Sequence, residues 1–93
     1  MPKRSQNMSE EQSEHKRSQA QAIGARIRQR RKQLKLTQED LRMRMEEEHI
    51  LVTRSQFSRI ENGEILPDAG EVIVLKLVLD VSYQWLLEGN GEL

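Results

Sequence analysis

Thr37, Thr53, Asp68 and Ser82 each stand at the head of a short run that suits the first turn of a helix. Side-chain oxygens at such positions accept hydrogen bonds from the unpaired N–H groups of a helix N-terminus. Thr37 precedes Glu39 and Asp40, whose acids complement the helix dipole. Thr53 has Gln56 three residues on, the pattern of a capping box. Asp68 follows Pro67, and Ser82 opens a segment that Gly89 closes. Starts this closely spaced leave room only for short helices with short connections.

The apolar spacing between these signals agrees. Ile23, Ile27 and Leu34 fall near one stripe of a first helix that opens at Ala22. Leu41 and Met45 belong to a second helix. Its last turn carries Glu46, Glu47 and Glu48, which oppose the helix dipole and predict fraying. A break follows around residues 49–52, with His49 where a glycine would ease the reversal. In the third helix Phe57 and Ile60 point inward, leaving Arg54, Ser55, Ser58 and Arg59 outside, and Asn62-Gly63 ends it. The run Glu71–Leu79 is rich in β-branched residues, but a lone strand would have no pairing partner, so it reads as a fourth helix. Tyr83–Glu88 is the fifth. Met43 and Met45 read as core filler or partly exposed helix residues.

Residues 1–21 hold Ser, Gln, Glu, Lys and Arg with almost nothing to bury, and read as a disordered polar arm. Residues 22–90 form the folded domain and 91–93 a tail. A domain of this size buries only about 60% of its unfolded surface, so a partner subunit would help it.

Composition narrows the function. Net charge is zero, yet Arg26, Arg28, Arg30, Arg31, Lys32 and Lys35 occur with no acid among residues 23–37. Lys76 alone faces Glu64, Asp68, Glu71, Asp80, Glu88 and Glu92 in residues 62–93. A cationic block on an otherwise acidic chain points to a polyanion met by one face. The run from Arg26 to Lys32 matches a nuclear-localisation pattern, but a basic helix side facing that polyanion explains it more simply. There is no run approaching ~18 apolar residues, so no membrane span is expected. With no cysteine, disulfide and Cys-ligated zinc scaffolds are excluded. No secretory leader is expected, because residues 1–21 lack its apolar stretch. His15 and His49 lack metal-ligand spacing. No nucleophile stands beside a base, so neither an enzyme nor a cofactor is expected.

Leu36-Thr37-Gln38-Glu39-Asp40-Leu41, then Ser58-Arg59-Ile60-Glu61-Asn62-Gly63-Glu64, then Val81-Ser82-Tyr83-Gln84-Trp85-Leu86-Leu87 occur in series. Together they resemble the Cro and lambda-repressor type of helix-turn-helix domain, often called the Xre family, over about residues 22–90. The resemblance implies an all-α, five-helix DNA-binding domain, mostly found in dimeric bacterial and phage repressors, and hence a cytoplasmic, nucleoid-associated protein. It places the third helix in the major groove of double-stranded DNA. It puts Arg54, Ser55 and Arg59 at base-reading positions and Ser58 at an edge position. Gln38 and Asn62 match phosphate-contacting positions, and Arg28 and Arg31 join them. Arg31 and Glu61 match a pair commonly bridged in this family, which would lock the first helix to the third and aim Arg31 at the DNA backbone.

Several positions depart from the pattern. The connection between Met45 and Val52 is longer than in the commonest members. Arg42 replaces a small residue, Arg30 a core leucine that Leu34 compensates, and Lys35 a glycine. A left-handed lysine there costs on the order of 1 kcal/mol. The alignment leaves Leu77 exposed, and Leu77, Trp85 and Leu86 form the expected homodimer surface. A twofold dimer would space two recognition helices about 34 Å apart. The alternative is a protein-binding adaptor, such as an antitoxin or coactivator, for which the acidic second half and apolar fourth helix are suited. Either form leaves room for a regulatory protein partner.

Overall fold

The computed structural model describes residues 2–93, with side chains from Glu10 onward. Its elements are α1 (Pro2–Gln33), α2 (Gln38–Glu47), α3 (Arg54–Glu61), α4 (Ala69–Leu79) and α5 (Tyr83–Glu88), all helical. Ile23, Ile27, Leu41, Met45, Val52, Phe57, Ile60, Val74, Leu75, Leu79, Val81 and Leu86 make one core. Leu34 is half-buried against it, as its place in the stripe predicts.

The chain has no break at residue 21. Helix α1 runs through the stretch expected to be a disordered arm, so the boundary drawn at Ala22 falls inside it. Ala20 is buried, and Lys16 and Arg17 line a groove with Ile65 and Leu66. The polar composition excludes a core there but not a helix. Gln, Glu, Lys, Arg and Ala are good helix formers, and extending a helix that the core has already nucleated is easy. Met1 and the side chains of residues 2–9, on which that expectation also fell, lie outside the described residues.

The four capping residues all cap. Thr37 and Asp68 form reciprocal boxes with Asp40 and Glu71, and Ser82 accepts from the Trp85 N–H. The Thr37 backbone N–H, and next its hydroxyl, hold the Asp40 carboxyl below the usual carboxylate range. At Thr53 only half the expected box forms. Its hydroxyl accepts from the Gln56 N–H, while the Gln56 side chain reaches the buried Glu71 instead, at 3.4 Å.

Four helices end in the same way. A residue with left-handed backbone follows each of α1 to α4: Lys35 (φ 59°), His49 (φ 67°), Gly63 (φ 75°) and Asp80 (φ 53°). The next N–H reaches back to the last turn, as in Leu36 to Arg31, Ile50 to Met45, Glu64 to Arg59 and Val81 to Lys76. This is the Schellman termination, in which the residue after the turn packs back onto the helix. It corrects the expected fraying of α2. Ile50 packs against the core and pins that end despite the three glutamates.

The long α2–α3 connection is thus an ordered reversal. Ile50 and Val52 turn inward while Leu51 projects. Arg42 supports it by donating from Nε to the Val52 carbonyl at 2.9 Å. The longer connection gives this arginine a role that a tight turn would leave no space for. Gly24 sets the α1–α3 crossing: a Cβ there would overlap the Ile60 carbonyl oxygen and lie 2.7 Å from that of Glu61.

Candidate nucleic-acid interface

Helix α3 exists as a short, one-sided element because Phe57, Ile60 and Glu61 are buried beneath it. Their spacing turns Arg54, Ser55 and Arg59 to solvent, and the Arg54 side chain is 81% exposed. Ser58 lies half-buried at the edge, and its hydroxyl donates to Gln38 Oε1 at 3.3 Å.

That bond opens a polar lattice running back to α1. Gln38 Nε2 donates to Glu61 Oε1 at 2.9 Å. The Glu61 side chain is fully buried and is gripped by Arg31 through Nε to Oε2 at 2.6 Å and Nη2 to Oε1 at 3.0 Å. The remaining Arg31 nitrogen, Nη1, donates to the Leu36 carbonyl at 2.8 Å. No buried side-chain polar atom among the described residues lacks a partner. The lattice is therefore satisfied, the condition under which a buried charge pair is tolerable.

Two residues expected at phosphates, Arg31 and Gln38, are both part of this lattice. Arg31 is turned inward with each of its three nitrogens on a protein acceptor, and its bridge to Glu61 ties α1 to α3 as expected. The Gln38 side chain is likewise committed to Glu61 and Ser58. Arg28 and Asn62 stay on the surface, joined by an Nη2 to Oδ1 bond of 2.9 Å, with Arg28 Nε 3.6 Å from Glu61.

The cationic block divides in the same manner. Arg26 donates to the Leu86 and Leu87 carbonyls at 2.8 and 3.0 Å, closing the end of α5. Arg30 donates to the Leu79 carbonyl at 2.9 Å, closing the end of α4. Arg26, Arg30 and Arg31 tie the fold together, and Arg28, Lys32 and Lys35 remain exposed. The carbonyls of a helix end carry partial negative charge, which is why Arg30 serves where a core leucine is usual.

Sequence reading missed Glu39 as part of this surface. Its carboxylate accepts from Arg42 Nη1 at 2.7 Å and lies 3.8 Å from Arg54 Nη2. The available signal was the spacing of Glu39 and Arg42, three residues apart on one helix. Arg31, Leu36, Thr37, Gln38, Glu39, Arg42 and Arg54 line the groove between the starts of α2 and α3.

On α4 and α5, Ile73, Leu77, Tyr83 and Leu87 are exposed, and Lys76 Nζ lies 5.3 Å from the Tyr83 ring. Leu77 stands out at 58% exposure, as expected. Leu86 is fully buried and offers none of the apolar surface expected of it, while Trp85 packs half-buried against the core. The α5 helix turns Tyr83 and Leu87 outward instead. No group of His, Cys, Asp and Glu suited to a metal occurs among the described residues. No helix among them is long and apolar enough to cross a membrane.

No curated protein and no solved structure matches the chain significantly. A family model described as a helix-turn-helix domain matches residues 24–92, from the Gly24 crossing to the end of the fold. With that match over most of its length and five helices in the arrangement described, the chain belongs to the helix-turn-helix domain family, in its Xre and Cro-like branch.

Proposed function

We propose that this protein is a sequence-specific, dimeric transcriptional regulator, a repressor that occludes a promoter by placing α3 in the major groove. The observation that carries the reading is the outward face of α3. Arg54, Ser55 and Arg59 are exposed there, while Phe57, Ile60 and the Glu61 lattice hold the helix rigidly from below. An α-helix fits the major groove, and arginine pairs bidentately with guanine O6 and N7. Arg28 and Asn62 supply phosphate contacts from beside α3. Ile73, Leu77, Tyr83 and Leu87 supply the apolar face through which two copies pair.

Duplex selection from random sequence followed by mobility shift tests the reading. Arg59→Ala should relax the preference at one base position per half-site. Arg28→Ala should weaken all sequences alike and lower the salt slope by about one. Equal loss on every duplex for Arg59→Ala would remove it from base readout. Sedimentation equilibrium of wild type and Leu77→Glu tests pairing. A monomeric wild type, or a variant that still dimerises, would remove the α4–α5 face. The same face favours a second reading, a protein-binding adaptor, which a wild type that selects no duplex would support.

A further inference from the structure

Two arginines converge on one exposed carboxylate at the start of α2. Arg42 is anchored first, through Nε, to the Val52 carbonyl, one residue before the cap of α3. From that anchor its Nη1 holds Glu39 Oε2 at 2.7 Å. The carboxylate so fixed stands 3.8 Å from Nη2 of Arg54, the first residue of α3. Arg42 is largely covered and Arg54 largely free, with side-chain exposures of 23% and 81%. An ion pair this exposed adds little to stability. Its effect falls on where a long, mobile guanidinium spends its time.

We propose that Glu39 is a positioning residue that sets the base preference of Arg54, holding its guanidinium away from phosphate and toward guanine in the major groove. The inference rests on the DNA-binding reading above. Guanidinium has five N–H groups, so one edge can meet Glu39 while others meet guanine O6 and N7. A fixed carboxylate beside it repels phosphate oxygens, which would otherwise capture the arginine on any sequence. Glu39 therefore lowers affinity for random DNA and sharpens the choice of base. The shared anchor at Val52 makes the spacing of α2 and α3 part of the device.

The test uses the full chain on the selected duplex and on its single-base variants. Arg54→Ala should erase preference at one position per half-site. Glu39→Gln keeps the length and removes the charge. It should bind random duplex more tightly and lose about tenfold in preference at that same position, the scale of one weakened base contact. The double variant should lose no more preference there than Arg54→Ala alone. Arg42→Met removes the anchor and leaves the carboxylate, and should blur the same position. Melting curves of both variants separate positioning from folding.

The proposal is overturned if Glu39→Gln leaves that preference intact, weakens every sequence equally, or adds fully to Arg54→Ala. It is overturned as well if Arg54→Ala changes no preference, while the DNA-binding reading then survives on Arg59. A wild type that binds no duplex ends both, and is seen before any variant is made.

Discussion

Toward α3, helix α1 presents Arg31 to a carboxylate; toward α4 and α5 it presents Arg30 and Arg26 to carbonyl oxygens. The first seam is buried and carries full charges on both sides, with Gly24 letting the backbones meet. The second is part-buried and pairs a full charge with the partial charge of a helix end. A buried ion pair allows few geometries, because any other leaves a charge without a partner. An arginine on a helix end can trade a carbonyl for water. The seam that orients the exposed face of α3 is thus the exacting one, and the seam beneath the α4–α5 apolar face is the tolerant one.

Breaking the exacting seam should give the largest effect. Glu61→Ala leaves Arg31 buried and unpaired and should cost about 3–5 kcal/mol, read as a fall in the urea midpoint at unchanged slope. Replacing both partners, Arg31→Met with Glu61→Leu, should recover much of that stability. A Glu61→Ala loss below about 1 kcal/mol would mean that the pair is hydrated, and the contrast between the seams would vanish.

Breaking the tolerant seam should do less. Arg30→Met keeps much of the half-buried apolar stem and removes the bond to the Leu79 carbonyl. The expected loss is about 1–2 kcal/mol, since the freed carbonyl regains water. A loss equal to that of Glu61→Ala in the same urea titration would place the two seams on one footing.

What could be read beforehand follows the same division. Bounds of α5 at Tyr83 and Glu88 were legible because Ser82 and Gly89 act on neighbouring residues. The outward face of α3 was legible from the spacing of Phe57 and Ile60. The destinations of Arg26 and Arg30 were not, because their acceptors lie 60 and 49 residues along the chain. A charge run reports a sum and is silent on which members find partners inside. The extent of α1 before residue 22 was not legible, because a segment with little to bury can still be helical. The ends of α2 and α5 show a related asymmetry. A glycine announces a left-handed stop at α5, while at α2 the reversal expected at His49 forms with no glycine there.

The stops without glycine sharpen the comparison at the smallest scale. Lys35 ends α1 beside the α3 seam, and Asp80 ends α4 beside the Arg30 seam, both with left-handed backbone. Glycine takes that conformation without the steric penalty of a Cβ, although it also loses more freedom on folding. Each change to glycine should therefore stabilise by about 0.5–1 kcal/mol. The two gains should differ. Lysine at a helix C-terminus is favoured by the dipole and aspartate is disfavoured, so Lys35→Gly forfeits an attraction and Asp80→Gly relieves a repulsion. Asp80→Gly should accordingly raise the melting temperature more than Lys35→Gly, with the gap narrowing as salt screens the dipole. The reverse order at low salt would mean that Asp80 is held by something other than its backbone, and the Arg30 guanidinium on the adjoining Leu79 carbonyl would be the first place to look.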